Sequence, residues 1–357
     1  MKNGPGAWRE APADFAGYIR EQRTAHISDI VASPLLDVRN LSVSYATPSG
    51  SFRALQDISF SLQAGETLAI IGETGCGKTT LALSILGLLS GGQIEGGSIC
   101  FDGESLTGAG EREWRQVRGC RIGMVFQDPR ASLNPVLRIG DHLSESMRAH
   151  NRMSGSQARN TGIRLLAELG IPDPAFVLRR YPSELSGGTC QRIGIALAIC
   201  NNPALLIADE PTGALDPTIQ SQIMSLLKDM KRLRGLSLLF ISHDLLLISD
   251  FADRAAVMYG GRIVELGPAE EVLAHPTHPY TRGLAACIPD IRRTPGSQRL
   301  HPIPGFPAGR TEVSAGCVFL SRCELAGAQC AVGAPDLIPV ADGHQAACIM
   351  VAPGSRA

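Results

Sequence analysis

The octapeptide Gly72-Glu-Thr-Gly-Cys-Gly-Lys78-Thr79 decides more about this chain than any other segment, because it spells Gly-x-x-x-x-Gly-Lys-Thr at the junction of two patterns. Before it runs Thr67-Leu-Ala-Ile-Ile-Gly72, continuously apolar as a strand covered on both faces would be. After it runs Leu81-Ala-Leu-Ser-Ile-Leu86, which suits a helix. Glycines let the backbone curl so that successive N–H groups and the helix N-terminus face phosphates. Lys78 adds positive charge, and the Thr79 hydroxyl can ligate Mg²⁺. Gly72, Glu73, Thr74, Gly75, Cys76, Gly77, Lys78, Thr79 and Thr80 are therefore the expected phosphate cradle of an α/β P-loop NTPase.

Such a cradle needs an acidic site on a neighbouring strand, and Leu205-Leu-Ile-Ala-Asp209-Glu210 supplies it: four apolar residues, then two carboxylates. Asp209 is expected to hold Mg²⁺ or its waters. Glu210, one residue further on, is placed to polarise an attacking water as general base. The competing reading, a capping role for either carboxylate, leaves the strand-end pairing with the phosphate loop unexplained.

Other buried-strand runs lie at 122–126, 205–208 and 238–241, which predicts a mixed sheet. Leu36, Val38, Leu41, Val43 and Tyr45 fit a strand with one slip, and 55–62 alternates, so an antiparallel opening sheet is expected. Gly140 to Leu178 has helical spacing and no buried-strand pattern. The strand 255–259 and a Gly260-Gly261 turn into 263–266 predict a closing hairpin. The expected organisation is a loosely ordered leader at 1–33, a core at 34–275 with a helical subdomain at about 138–185, and a Pro-, Gly- and Cys-rich extension at 276–357.

Composition serves mainly to exclude. The 357 residues suffice for one large domain with appendages or for two modest domains. A net charge of −1 supplies no pull toward nucleic acid or anionic lipid. No apolar run approaches the roughly 20 residues that cross a bilayer, so membrane association has to come through a protein partner. The N-terminal segment carries acidic residues and lacks the apolar stretch of a signal peptide, and a cytoplasmic location is expected.

Leu185-Ser-Gly-Gly-Thr-Cys-Gln191, ahead of Asp209, resembles the signature motif of the ABC ATPases. Ser186, Gly187 and Gly188 at a helix start form a second anion site, and the resemblance implies that it completes the ATP site of an opposite subunit. It further implies that Tyr45 stacks on adenine and that Gln127 senses Mg²⁺ and couples to the membrane subunit. Ala214-Leu215-Asp216 is similar to the loop crossing the dimer seam, and His243 to the switch histidine at the γ-phosphate. Two stretches resemble the oligopeptide and dipeptide importer branch: Phe126-Gln-Asp-Pro-Arg-Ala-Ser-Leu-Asn-Pro135, and His278-Pro-Tyr280-Thr281 with the tail. The expected partners are then a second, non-identical ATPase, two permeases and an extracytoplasmic solute-binding protein, at the cytoplasmic face of a bacterial inner membrane. Thr189-Cys190 departs from the pattern, as does Cys76, whose place near a helix N-terminus predicts a lowered pKa.

Of ten cysteines, Cys317, Cys323, Cys330 and Cys348 crowd the tail. Four thiolates suffice for tetrahedral Zn²⁺ or a [4Fe-4S] cluster, and ligand type leaves the metal open. The sequence Gly316-Cys317-Val-Phe319-Leu-Ser-Arg322-Cys323 with Ala347-Cys348 is similar to that of importer subunits holding a [4Fe-4S] cluster, and the resemblance implies one here in a structural role. The alternative to an importer is a soluble ABC ATPase, remodelling a macromolecule or serving a carbon-phosphorus bond-cleaving complex. A single P-loop, a single signature and no sustained heptads disfavour the first of these.

Overall fold

The structure, a computed structural model, describes residues 33–48, 50–213, 215–287, 302–306 and 316–351. The leader expected at 1–33, save its last residue, and Ala214 lie outside the described residues.

Strands β1 (Leu36–Thr47) and β2 (Gly50–Leu62) form an antiparallel pair. The slip in the alternation of β1 is a register shift between Val38 and Leu41, where Asn40 has φ 49°. It brings Leu41 and Val43 back to the face that already buries Leu36 and Val38. After β3 (Thr67–Ile71) and the helix Lys78–Ile85 come β4 (Gly92–Phe101) and β5 (Glu104–Ser105), completing a four-stranded sheet in the order β2-β1-β4-β5.

The second sheet carries the chemistry. After the helix Glu111–Val117, β6 (Ile122–Val125) is followed by the helices Ile139–His150, Gly155–Glu168 and Pro174–Val177, where helical spacing predicted them. Ser154 opens the middle one with a reciprocal cap, accepting from the Gln157 N–H while Gln157 accepts from the Ser154 N–H. The helix Gly187–Ile199 leads to β7 (Leu205–Asp209), and the helix Pro217–Arg234 to β8 (Ser237–Ser242). Past the short helix Leu246–Ser249, β9 (Arg254–Tyr259) and β10 (Arg262–Pro268) make the hairpin.

β3, β6, β7, β8 and β9 are parallel, which is why they read as unbroken apolar runs. Alternate residues of β3 feed two cores: Ala69 and Ile71 join one, Leu68 and Ile70 the other. The carboxyl ends of β3, β7 and β8 therefore lie side by side, the place where open α/β sheets bind ligands.

The extension continues this sheet. After the helices Ala269–Ala274 and Pro279–Ala286, β11 (Ile338–Ala341) and β12 (His344–Ala346) add to its edge, and the order becomes β11-β12-β10-β9-β3-β8-β7-β6. Glu265 of β10, fully buried, accepts from the Thr277 and His278 N–H groups and lies 2.7 Å from His344 Nε2. One carboxylate thus ties β10, the helix at 279 and β12 together, so the Cys-rich segment is part of the core's own sheet. Among the described residues no helix is long and apolar enough to cross a membrane.

Candidate functional site

The phosphate loop is bent as its glycines permit. Gly77 has φ 108°, and a Cβ there would come within 2.8 Å of the Ala54 carbonyl. At Gly72 a Cβ would run into the Met258 carbonyl. Lys78, 6% exposed, folds back across the loop and donates to the carbonyls of Gly72 (2.7 Å) and Glu73 (3.1 Å). Thr74 and Gly75 are exposed at the rim, and Thr80 accepts from Ser84 Oγ through its carbonyl.

At the end of β7 the two carboxylates take different surroundings. Asp209 is buried and its Oδ1 has no hydrogen-bond partner. Burial pushes its pKa up, opposed by a hydrogen bond from the Thr79 hydroxyl and by Lys78. A buried, unsatisfied carboxylate oxygen next to a hydroxyl fits a divalent cation, which would hold Asp209 charged.

Glu210, 13% exposed at its side chain, has φ 45°, and its N–H is held by the Ile241 carbonyl of β8. Its carboxylate is where the other expected residues meet. Gln127 Nε2 donates to Oε2 at 2.9 Å, His243 Nδ1 lies 3.3 Å from Oε1, and Lys78 Nζ lies 3.9 Å from the same oxygen. The ends of β3, β6, β7 and β8 thus bring Lys78, Gln127, Glu210 and His243 onto one spot. His243 is 60% exposed and open to solvent or a ligand.

Tyr45 lies at the end of β1, opposite Gly92 and Phe52, and its ring leaves no room for a Cβ at Gly92. Ser186 caps the helix Gly187–Ile199 by accepting from the Thr189 N–H. Gly188 lies against Ile219, where a Cβ would come within 3.1 Å of the Ile219 side chain. The carbonyl of Leu185, just before Ser186, accepts from Arg130 at 2.7 Å, so the segment after Gln127 holds the signature turn. Asp216 caps the helix Pro217–Arg234, accepting from the Ile219 N–H.

The lowered pKa expected for Cys76 is corrected. The thiol is buried, and burial pushes its pKa up, outweighing the nearby Lys78.

An open groove of about 410 Å³ runs beside these loops, lined by Leu88, Met124, Phe126, Ser132, His142 and Glu145. The exposed Phe126 and Val136 lie in and after the segment singled out from the sequence.

Cys317, Cys323, Cys330 and Cys348 line one small cavity of about 10 Å³ with His278 and Phe319. That is about the room of one water. Burial is the leading reason that the Cys317, Cys323 and Cys348 thiols are raised in pKa. Among the described residues no group of three or more His, Cys, Asp or Glu is set to hold a metal ion. The donor chemistry suits an iron–sulfur cluster, but the cavity would have to widen to take one.

Arg322 and Tyr280 were not expected at the site. Both reach Glu73 of the phosphate loop from the extension: the Arg322 guanidinium donates to the Glu73 carboxylate, and the Tyr280 hydroxyl accepts from the Glu73 N–H. From the sequence, His278-Pro-Tyr280 marks only the start of the tail.

Residues 55–213 match the family model described as ABC transporter, and residues 264–330 the one described as oligopeptide/dipeptide transporter, C-terminal region. A Brucella abortus protein named as a peptide import ATP-binding protein is 44% identical over 317 residues, covering 88% of this chain and 95% of that protein. The dipeptide transport ATP-binding protein DppD of Bacillus subtilis is 43% identical over 291 residues, covering 81% and 86%. Among solved structures, a dimeric ATP-binding cassette in a post-hydrolysis state with ADP and Pi superposes with TM-score 0.60 at 27% identity, over 66% of this chain and 98% of that one. A subunit of the cbiONQ ABC transporter complex of Clostridium perfringens does so with TM-score 0.57 at 30% identity, over 68% and 91%.

Proposed function

The chain belongs to the ATP-binding subunits of the ABC peptide importers, and from that premise we propose that it hydrolyses ATP at the carboxyl ends of β3, β7 and β8 to energise uptake of di- or oligopeptides. The observation that carries the site assignment is the meeting of Lys78, Gln127 and His243 on the Glu210 carboxylate. Lys78 and the loop N–H groups bind the phosphates. Thr79 and Asp209, with Gln127, hold Mg²⁺, which when bound neutralises charge developing on the phosphates. Glu210 takes the proton of the attacking water, its carboxylate held by Gln127 and beside His243 and Lys78. Gln127 and His243 orient that carboxylate and report on the γ-phosphate, while Tyr45 stacks on the base.

Ser186, Gly187 and Gly188, with Asp216 in the neighbouring turn, face the nucleotide of a second ATPase, and a non-identical partner subunit is our reading. The groove beside Phe126 receives a permease segment, supported by its exposed apolar rim next to Gln127. The complex then works at the cytoplasmic face of an inner membrane with two permeases and an extracytoplasmic solute-binding protein. We further assign Cys317, Cys323, Cys330 and Cys348 to a structural [4Fe-4S] cluster, supported by four thiols facing one cavity.

In the purified transporter, Glu210→Gln should lower ATP hydrolysis about 10²–10³-fold while leaving Mg·ATP binding intact, since it removes a base without removing a phosphate ligand. Hydrolysis undiminished in that variant would place the base elsewhere.

A further inference from the structure

Glu73 is held from two directions by parts of the chain far from it in sequence. Its carboxylate receives both ends of the Arg322 guanidinium, Nη1 to Oε2 at 2.8 Å and Nη2 to Oε1 at 3.2 Å. Its N–H donates to the Tyr280 hydroxyl at 3.0 Å. Its carbonyl meanwhile accepts from Lys78. A single residue therefore links the phosphate-binding lysine to the extension.

Arg322 is itself fixed. Its side chain is 4% exposed and donates also to Tyr259 Oη and to the carbonyls of Ile303 and Pro304. Phe319, three residues before it, packs among the rings of Tyr259, Tyr280 and His278. Burial works against the guanidinium's charge, but the bonds to Glu73 and Tyr259 outweigh it and raise its pKa. Arg322 directly precedes Cys323, so the clamp is built on the cysteine-lined lobe. A bidentate pair of this kind fixes direction as well as distance.

We propose that Arg322 is a positioning residue of the nucleotide site, acting through Glu73 to hold the phosphate loop in its ATP-binding shape, so that ATP affinity depends on the cysteine lobe. The proposal rests on the reading of the phosphate loop as an ATP site, and the full-length protein tests both separately.

Titration with a fluorescent ATP analogue, together with steady-state hydrolysis, is measured for wild type, Arg322→Ala, Arg322→Lys, Glu73→Ala and the double alanine variant. Arg322→Ala is expected to weaken nucleotide binding about tenfold, Arg322→Lys less, with kcat changed far less than KM. The double variant should be no weaker than the worse single one, because both substitutions break one link. Additive losses, or unchanged affinity in a folded Arg322→Ala or Arg322→Lys protein, would overturn the proposal and leave Arg322 a packing residue. Wild type that fails to bind the analogue at all would instead overturn the ATP-site reading. If Arg322→Ala does not fold, Arg322→Lys against Glu73→Gln carries the same comparison.

Discussion

Asp209 carries a charge that the protein alone accommodates badly: it is buried, its Oδ1 lacks a partner, and burial raises its pKa. Two consequences with opposite signs follow at this residue. In metal-free protein, Asp209→Asn should leave the thermal midpoint unchanged or raise stability by about 1–2 kcal/mol, since it removes a buried charge one of whose oxygens has no hydrogen-bond partner. With Mg·ATP, the same variant should lose the rise in midpoint that wild type gains, because binding stabilises only through the folded state. Thermal unfolding with and without Mg·ATP reads both. A destabilised apo variant with an intact Mg·ATP response would remove Asp209 from the metal site. Lys78, Asp209 and Glu210 were legible in the sequence because each follows from a short local pattern: a glycine loop after one apolar run, two acids after another. Arg322 was not, because it meets Glu73 across 249 positions and nothing local at either end announces the pairing. The Cys76 thiol was misread for a related reason: proximity to a helix start is visible in sequence, and the depth of burial that outweighs it is not.

At the scale of elements, the parallel strands and the helical insertion were readable because burial on both faces and helical spacing leave strong periodic signals. β4 was missed. Its glycines at 92, 96 and 97 and its mostly exposed first half erase the alternation, and only pairing with β1 defines it. The hairpin of β11 and β12 was missed as well, being a few residues long and held by β10 and the Glu265 contacts with Thr277, His278 and His344. Those contacts make the extension part of the ATPase core, which sets an expectation for the cysteine lobe. Cys317→Ser should lose the iron and acid-labile sulfide of anaerobically purified protein, and should weaken nucleotide binding in the same direction as Arg322→Ala, about 5–20-fold. Elemental analysis and analogue titration check it. Wild type purified without iron would contradict the cluster, while iron loss with unaltered binding would separate the cluster from the phosphate loop.

For the whole molecule, one sheet joins three tasks. Its centre presents Lys78, Asp209 and Glu210, the neighbouring groove offers apolar side chains next to Gln127, and its far edge is completed by the extension that grips Glu73. Arg130, three residues after Gln127, donates to the Leu185 carbonyl and so ties the groove segment to the signature turn. Under the function proposed above, ATP would favour the closed pairing of two such subunits and hydrolysis would release it, and that difference in affinity would drive the permeases between orientations. The most direct test is uptake of a labelled dipeptide by cells whose transporter contains this subunit, compared with the same cells carrying Glu210→Gln. Uptake in the first and its loss in the second is the result predicted here. Equal uptake in both, or none in either while the purified wild-type protein hydrolyses ATP, would contradict it.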